Sequence, residues 1–451
     1  MNKLQIAILT LVFLFSNYQS TAQTWNNIGN NSFSDGEAFS QRIAMINDVP
    51  YVAYQDRAYS DKATVMTFNG ESWQAVGSKG FTADKARSID FKADNQTLYI
   101  AFSDLSLGSK ASVMTYNGAT WSYLGGGGFT PSIADVVSLD VENGTPWVAF
   151  QDAMQGSRIS VMKYEGGTWN LVGEAGFSTG FMTNVIHLQV ENGIPYVAYR
   201  DYDADFKASV MKFENNSWQL IGQEGFSIGT YDSYHGLAVR NGIPYVAGWG
   251  TAGSLTVYRY EGSNWATVGD ANISVGAANY SDLRFSSTGD LYVFYKDVGI
   301  QNKSILKKFN GSEWEQVGEP VTQGDATFNS LALYESSDGS IIPHVAYRDD
   351  NSMRRTSAKK FDVNTQIEML EDNLLNIFPN PTSANLFIDF KGDLSKQNTF
   401  EIRNISGQLV KTEKDLKDQL SSIDISDLHS GLYLLRLTIG EKTYNRKFLV
   451  P

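Results

Sequence analysis

Six aspartates recur along this chain and are the residues best placed to do chemistry as a set. They are Asp56, Asp104, Asp152, Asp201, Asp297 and Asp349, and each follows a short apolar run typical of a β-strand. A ring of carboxylates could bind cations or transfer protons. However, an Asp at a strand end commonly accepts hydrogen bonds from the backbone of the following turn. We favour this structural role, because a catalytic acid is usually unique to one repeat.

One of these aspartates begins an acidic segment. Asp201-Tyr202-Asp203-Ala204-Asp205 alternates carboxylates with other side chains, and a hard cation such as calcium prefers several oxygens in close succession. The segment lacks the later glycine and glutamate of an EF-hand loop, and no other repeat shares it. Asp201, Asp203 and Asp205 are thus candidate calcium ligands, and calcium is a candidate cofactor. The alternative is an acidic loop that faces solvent.

A second departure from the repeated pattern indicates a ligand site. Gly248-Trp249-Gly250 stands where the other repeats have an aromatic residue, a variable residue and Asp. The preceding connection is rich in rings, with Tyr231, Tyr234 and His235. We name Trp249, Tyr231, Tyr234 and His235 as candidate ligand-binding residues, since an aromatic ring offers a platform for a ligand. A simple packing substitution is the alternative.

No catalytic template is visible in the sequence. The chain has no cysteine, so it has no disulfide, thiolate nucleophile or thiolate metal site. The four histidines, which are His187, His235, His344 and His429, are scattered without metal-ligand spacing. No segment indicates a Ser-His-Asp arrangement. We therefore predict no catalytic residues and favour a protein that is not an enzyme.

The elements that must position these residues are marked by a repeat. Seven tryptophans lie 47 to 49 residues apart, at Trp25, Trp73, Trp121, Trp169, Trp218, Trp265 and Trp314. Each unit has four short strand-like runs, separated by turn signals such as Asn117-Gly118. Four antiparallel strands in a unit of this length are typical of a β-propeller blade. We interpret the repeated tryptophans as core residues.

The strand count indicates how the ring closes. The second strand of the unit occurs seven times, and the last is His344–Asp349. The seventh unit has no tryptophan strand after Phe361, whereas Thr24 to Gly29 supplies one ahead of the first unit. The N-terminal strand is thus predicted to complete the last blade, since closure removes open sheet edges. The predicted fold class for residues 23–365 is an all-β, seven-bladed β-propeller closed by that strand.

The repeat ends before the C-terminal region. After a predicted linker at 366–375, strand-like runs separated by glycines predict a small β-sandwich over 376–451. Four segments of this region carry a family resemblance, namely Asn376 to Thr382, Ile405 to Val410, Ser430 to Arg436 and Arg446 to Val450. They resemble the type A sorting domain of the bacterial type IX (Por) secretion system. The resemblance implies the secretion machinery as a partner, passage across the outer membrane, and release or attachment to surface lipopolysaccharide.

The first residues and the charge also bear on location and partners. Lys3, the apolar run from Ile6 to Phe15, and the small residues Ser20-Thr21-Ala22 have the layout of a secretory signal peptide over 1–22. No later run is apolar and long enough for a transmembrane segment. The formal net charge is -13, and the acidic excess lies before residue 373. An acidic body repels phosphate, so nucleic acid is not an expected partner.

These observations lead to competing hypotheses of function. The first is a secreted or cell-surface recognition protein that binds glycan or protein ligands through the propeller face with the longer loops. The repeated motif Trp-X-X-Val-Gly-X-X-Gly-Phe is loosely similar to the repeats of tectonin-like and tachylectin-like lectin propellers. That resemblance implies carbohydrate binding without assigning residues. The alternatives are a polysaccharide-active enzyme, either hydrolase or lyase, and a structural surface component.

Overall fold

The computed structural model describes residues 23–230, 236–363, 375–391, 394, 398–404, 408–414, 418, 420–439 and 442–451. The predicted signal peptide and residues 366–374 of the predicted linker lie outside these ranges. The chain divides into two compact units, Met1–Val363 and Asn364–Pro451. Within the described ranges, all regular secondary structure consists of β-strands and five short 3-10 turns. The predicted all-β class is therefore confirmed.

The first unit is built from four-stranded antiparallel sheets. Its first described strand is β1 (Gln23–Asn27). Sheet 1 contains β2 (Ala38–Ile46), β3 (Val49–Asp56), β4 (Lys62–Phe68) and β5 (Trp73–Ala75), and sheet 2 contains β6 (Ala86–Asp94), β7 (Thr97–Asp104), β8 (Lys110–Tyr116) and β9 (Trp121–Tyr123). Sheet 3 contains β10 (Val137–Glu142), β11 (Thr145–Asp152), β12 (Arg158–Glu165) and β13 (Thr168–Leu171), and sheet 4 contains β14 (Met182–Glu191), β15 (Ile194–Asp201), β16 (Lys207–Glu214) and β17 (Ser217–Leu220).

Three further sheets complete the described part of this unit. Sheet 5 contains β18 (Leu237–Arg240), β19 (Ile243–Trp249), β20 (Leu255–Tyr260) and β21 (Trp265–Thr267), and sheet 6 contains β22 (Ala278–Phe285), β23 (Leu291–Asp297), β24 (Lys303–Phe309) and β25 (Trp314–Gln316). Sheet 7 contains β26 (Ala326–Glu335), β27 (Ile341–Asp349), β28 (Arg355–Val363) and β1. The 3-10 turns are Arg57–Tyr59, Leu105–Leu107, Ala153–Gln155, Thr251–Gly253 and Val298–Ile300. Each sheet thus has the strand content of a propeller blade.

The local sequence explains these hairpins and strands. Asn192-Gly193 joins β14 to β15, and both residues have a positive φ, 54° and 75°. A two-residue type I′ turn requires this at both positions, and Asn-Gly is the preferred pair. The second strand lies inside each sheet, and in β7 seven of eight residues are buried. Such strands read as nearly continuous apolar runs because both of their faces are covered.

The first strands of the sheets contact one another in chain order. β2 contacts β6, and the succession continues through β10, β14, β18, β22 and β26; β26 in turn contacts β2. At the outer edge of sheet 7, β1 pairs with β28 in antiparallel register, with Trp25 opposite Phe361. The two ends of this unit's described chain therefore meet in one sheet.

Each repeat tryptophan links two sheets that are neighbours in this succession. Trp121 of sheet 2 donates its indole N–H to the Val76 carbonyl that follows β5, at 2.8 Å. Trp73 donates in the same way to Ile28 after β1, at 2.7 Å. The same bond is made by Trp169, Trp218, Trp265, Trp314 and Trp25. This geometry supports the interpretation of the tryptophans as core residues.

Carboxylates form a second kind of link, at the hairpins between first and second strands. The Glu142 carboxylate accepts hydrogen bonds from the backbone N–H groups of Asn192 and Gly193, at 2.6 and 2.7 Å. Glu191 binds the next hairpin in the same way, through the N–H groups of Asn241 and Gly242 at 2.8 and 2.6 Å. A glutamate of one sheet thus caps the turn of the next, with charge-assisted hydrogen bonds.

The second unit consists of two sheets around one core. The first sheet contains β29 (Leu375–Phe378), β30 (Asn385–Phe390) and β33 (Leu420–Asp424), and the second contains β31 (Asn398–Asn404), β32 (Leu409–Lys414), β34 (Gly431–Ile439) and β35 (Lys442–Val450). Leu386 and Ile388 of the first sheet share a buried cluster with Phe400, Leu435 and Phe448 of the second. Alternating burial along β34 produces this arrangement, since one face of each sheet is covered.

Candidate functional site

The turns that follow the second strands lie at one end of the sheets, together with the connections between sheets. We call this end the loop face. Backbone hydrogen bonds join the two kinds of segment, as from Arg57 N to Glu37 O at 2.9 Å and from Tyr202 N to Phe181 O at 3.2 Å. The connections and turns thus form one continuous surface on a rigid scaffold, where binding residues are commonly found.

The six repeated aspartates support the turns of the loop face. Each carboxylate accepts a hydrogen bond from the backbone N–H two residues later, at 2.9 to 3.2 Å, in Asp56, Asp104, Asp152, Asp201, Asp297 and Asp349. All but Asp349 are at most 2 % exposed. Burial raises the pKa of both Asp56 and Asp349. The geometry agrees with the structural role that the sequence favours.

The candidate calcium ligands do not converge on one point. Asp201 is buried, and its carboxylate accepts from Asp203 N, from the Ser209 hydroxyl at 2.9 Å and from the Thr179 hydroxyl at 3.2 Å. Asp203 and Asp205 are exposed. Across the residues that the structure describes, no group of three or more His, Asp or Glu side chains is arranged to hold a metal ion. Calcium binding stays a prediction.

Of the four candidate ligand residues, the structure places Trp249. Its side chain is half-buried, and its indole N–H donates to the Ala278 carbonyl. Its own carbonyl accepts from Gly229 N at 2.9 Å and from the Tyr258 hydroxyl at 3.1 Å. Tyr231, Tyr234 and His235 lie outside the described residues. A ligand site at these four residues therefore also stays a prediction.

The loop face of sheet 4 carries an aromatic group that the sequence reasoning missed. Phe181 and Tyr202 stack with ring centroids 4.0 Å apart, and they are 37 % and 45 % exposed. Phe206 contacts Tyr202 edge to face at 4.9 Å, and the Arg200 guanidinium lies 4.5 Å from the Phe206 ring centroid. We call Phe181, Tyr202 and Phe206 the sheet-4 patch. It is visible in the sequence once the connection and turn positions of the repeats are aligned, since no other repeat pairs two aromatic residues there.

One residue of this patch has an unusual backbone conformation. Six turns have a residue with positive φ at the position five residues after the strand-end aspartate. It is small and polar in four of them, at Asp61, Ser109, Ser157 and Asn302, and it is Arg354 in sheet 7, with φ 56°. In sheet 4 the residue there is Phe206, with φ 60°. Asn and Asp tolerate the left-handed region, whereas a bulky side chain there is an outlier. The positive φ is thus shared by these turns, and sheet 4 differs in placing an aromatic side chain at this position.

A ring of polar side chains lies where the first strands meet. Six polar residues of the first strands lie at the same level of their sheets, because each is paired with the second-strand residue three positions before the strand-end aspartate. We call these six residues the channel ring: Arg42, Asp90, Ser138, His187, Asp282 and Ser330. Five of them line a cavity of about 70 Å³, and Ser330 is the exception. That space holds a few water molecules and lies far below the volume of small-molecule pockets. A sugar does not fit in it.

The charged residues of the channel ring interact with neighbouring sheets. Asp90 forms an ion pair with Arg42 at 3.2 Å and accepts from Leu139 N at 2.8 Å. Burial raises the pKa of Asp90, but Lys92 and Arg42 outweigh it and leave that pKa below its ordinary value. Burial lowers the pKa of His187 to about 4, so its imidazole is neutral at pH 7. The channel ring thus joins the sheets electrostatically and is closed to large ligands.

Comparison with known proteins identifies the C-terminal region. Residues 376–451 match the family Por_Secre_tail, the secretion system C-terminal sorting domain. This confirms the resemblance drawn from the four segments, and it indicates export of the protein to the cell surface or the medium. In the part of the chain that the structure describes, no helix has the length and apolarity of a membrane span.

Several solved structures are similar to this chain. An ulvan lyase, described as a new family of polysaccharide lyase, has 13% sequence identity and a TM-score of 0.48, with coverage of 73% of this chain and 94% of that chain. A variant of Aleuria aurantia lectin in complex with alpha-methyl-L-fucoside has 17% identity and a TM-score of 0.43, with coverage of 64% and 98%. SapL1 lectin in complex with alpha methyl fucoside has 12% identity and a TM-score of 0.45, with coverage of 66% and 100%. No curated protein matches the chain.

Proposed function

We propose that this is a secreted or cell-surface recognition protein, in which a closed seven-bladed propeller binds glycan or protein ligands through its loop face. The contact between β26 and β2 supports closure, as does the pairing of β1 with β28. The sorting domain supports location outside the cell. The acidic charge of the chain disfavours nucleic acid as the ligand.

The observation that carries this proposal is the sheet-4 patch. Phe181 and Tyr202 are large rings that remain 37 % and 45 % exposed although they stack on each other. Exposed aromatic side chains on a rigid loop are typical anchors of binding sites, because they offer a large apolar area at low entropic cost. The outer ring faces can stack on the C–H face of a sugar or on an apolar side chain of a protein.

A glycan array tests the proposal. Residues 23–451 should bind one class of sugar reproducibly, and Tyr202→Ala should weaken that binding about tenfold or more, because a central aromatic contact is lost. Met154→Ala is the matched control, since Met154 is 64 % exposed on the turn of sheet 3. An effect of Met154→Ala equal to that of Tyr202→Ala would contradict a site at the sheet-4 patch.

The same array separates the two sites named from the sequence. Loss of binding in Trp249→Ala with Tyr202→Ala unchanged would move the ligand to sheet 5. Calcium dependence that Asp203→Ala abolishes would place a cation in the sheet-4 turn. A blank array with and without calcium would overturn the glycan part of the proposal and direct the search to protein ligands or to polysaccharide cleavage.

A further inference from the structure

Sheet 6 departs from the repeated sequence, because it lacks an aromatic stack that five other sheets have. In five sheets a phenylalanine from the preceding connection stacks on the repeat tryptophan, with centroids 3.6 to 4.6 Å apart: Phe33 on Trp73, Phe81 on Trp121, Phe129 on Trp169, Phe177 on Trp218 and Phe226 on Trp265. In sheet 6 the corresponding residue is Ile273, eight residues after Trp265. An isoleucine fills less space than a phenylalanine ring and cannot stack on Trp314.

A second substitution accompanies the first. The fourth strand pairs with the third strand, and the fourth-strand residue two positions after the tryptophan has a fixed partner there. In four sheets this third-strand partner is a methionine: Met66, Met114, Met162 and Met211. In sheet 6 it is Lys307, opposite Gln316. The Lys307 ammonium donates to the Ile273 carbonyl at 2.8 Å. Sheet 6 has thus exchanged an apolar pair, Phe and Met, for a smaller residue and a cation. Sheet 7 makes a similar exchange, with Val321 and with Lys359 opposite Asn27.

A cavity lies beside sheet 6 at these two residues. It has a volume of about 450 Å³ and is lined by Ile273, Tyr295, Ile305, Lys307, Gln316 and Pro320, among others. This volume lies in the range of small-molecule pockets. Tyr295 is 0 % exposed, and among the described residues its hydroxyl has no hydrogen-bond partner. A buried hydroxyl without a partner is costly, and a ligand that bonds to it would recover that cost.

The polar groups of the cavity favour an anion. An ammonium group has three donors, and the structure shows one of those of Lys307 used, by Ile273. The nearby Asp297 carboxylate is engaged by the backbone N–H groups of Val275, Gly276 and Gly299, at 2.8 to 2.9 Å. Burial lowers the pKa of Lys307, while the charge of Asp297 acts in the opposite direction. A bound anion would favour the charged lysine.

We propose that this sheet-6 pocket binds a small organic carboxylate of roughly monosaccharide size. The carboxylate would accept from the Lys307 ammonium and the Tyr295 hydroxyl. The body of the ligand would lie against Ile273, Ile305 and Pro320. The pocket shares no residue with the sheet-4 patch, so this inference stands independently of the glycan proposal.

Calorimetric titration of the protein, residues 23–451, with paired probes tests the inference. Glucuronate is compared with glucose, and N-acetyl-leucine with N-acetyl-leucinamide, so each pair differs in the carboxylate. One of the two carboxylates should bind about tenfold or more tightly than its neutral partner. The stronger pair tells a sugar acid from an amino acid. Equal affinity of acid and neutral probe in both pairs, or no binding at all, would overturn the proposal.

The repeat itself supplies the variants. Lys307→Met installs the residue that four other sheets carry, so it should fold, and it should weaken carboxylate binding about tenfold or more. Tyr295→Phe removes the hydroxyl and should weaken binding by a smaller factor. Ile273→Phe restores the stacked pair and should abolish binding by filling the space.

The control is the same substitution in the neighbouring sheet. Lys359 of sheet 7 donates to the Val321 carbonyl at 2.7 Å, as Lys307 does to Ile273. Lys359→Met should leave carboxylate affinity unchanged, with thermal unfolding recorded for every variant. Equal loss of affinity in Lys359→Met and Lys307→Met, or undiminished affinity in a folded Lys307→Met variant, would show that carboxylates do not bind at this pocket.

Discussion

At the scale of single residues, Phe206 combines a backbone cost with a half-buried position on the loop face. Its φ of 60° is strained for a bulky side chain. Its ring contacts Tyr202 edge to face and lies against the Arg200 guanidinium. Four other turns reduce that strain with Asp, Ser or Asn, whereas Arg354 of sheet 7 also has a positive φ. The backbone at this position favours a smaller residue, so we explain the phenylalanine at 206 by a contact with a ligand.

This explanation predicts a separation of stability from binding in Phe206→Asn. Asparagine occupies the equivalent position in sheet 6, as Asn302, so the relief of backbone strain should offset the lost ring contacts. We expect the free energy of unfolding to change by less than about 0.5 kcal/mol, while affinity for the array ligand falls. Urea denaturation and the glycan array measure the two quantities. A loss of stability like that of a core phenylalanine, about 3 kcal/mol, would show that Phe206 is a packing residue.

At the scale of elements, the hairpin carboxylates predict a specific contribution to stability. Glu142→Ala removes both acceptors for the N–H groups of Asn192 and Gly193, and we expect a loss of about 1–3 kcal/mol in the free energy of unfolding. Glu165→Ala is the control, because Glu165 is exposed and pairs with Lys163 at the surface. It should cost less than about 0.5 kcal/mol. Equal costs in urea denaturation would mean that the hairpin bonds contribute nothing beyond a surface charge.

Strands and turns were the elements that the sequence predicted well, because their signals are local. The predicted second strand His344–Asp349 lies within β27. The turn signal Asn117-Gly118 and the strand-end aspartates occur where apolar alternation stops. The pairing of β1 with β28 was also predictable. The seventh repeat lacks a tryptophan strand, and an unassigned tryptophan strand precedes the first repeat.

The channel ring and the sheet-4 patch were not predicted, because both depend on contacts between distant segments. The register of the first strands shifts between Phe39 and Arg42 and at the same place in sheets 2, 6 and 7, and it shifts between Met182 and Ile186 in sheet 4. Ser40, which lies in the first of these bulges, has a φ of 55°. A bulge turns the side chains that follow it, and simple alternation does not reveal it. The stacking of Phe181 on Tyr202 likewise joins two residues on either side of the β14–β15 hairpin.

At the scale of the whole molecule, two buried histidines predict acid sensitivity. Burial lowers the pKa of both His187 and His344 to about 4, against 6.5 in an unfolded chain. The unfolded state therefore binds more protons between pH 6.5 and 4, and stability falls as the pH falls through this window. Each histidine accounts for a loss of about 3 kcal/mol at most. Urea denaturation at pH 7, 5.5 and 4.5 measures it.

Tryptophan fluorescence suits that measurement, since all nine tryptophans precede residue 315 and report on the first unit. The double variant His187→Gln, His344→Gln should show a flatter pH dependence than the original protein between pH 6.5 and 4. An unchanged slope would mean that other groups, such as Asp90 with its lowered pKa, dominate the acid response, because a carboxyl with a lowered pKa in the folded state also costs stability in acid.

Closure of the ring is a property of the whole first unit, and Trp25 tests it. If β1 completes a closed ring, Trp25 joins sheet 7 to sheet 6 as Trp73 joins sheet 1 to sheet 7, because each donates to a carbonyl of the preceding sheet. Trp25→Ala should then cost about as much as Trp73→Ala, on the order of 3–5 kcal/mol. Urea denaturation followed by circular dichroism compares the two. A cost for Trp25→Ala below about 1 kcal/mol beside a full cost for Trp73→Ala would show that the N-terminal strand is an appendage and that the ring holds without it.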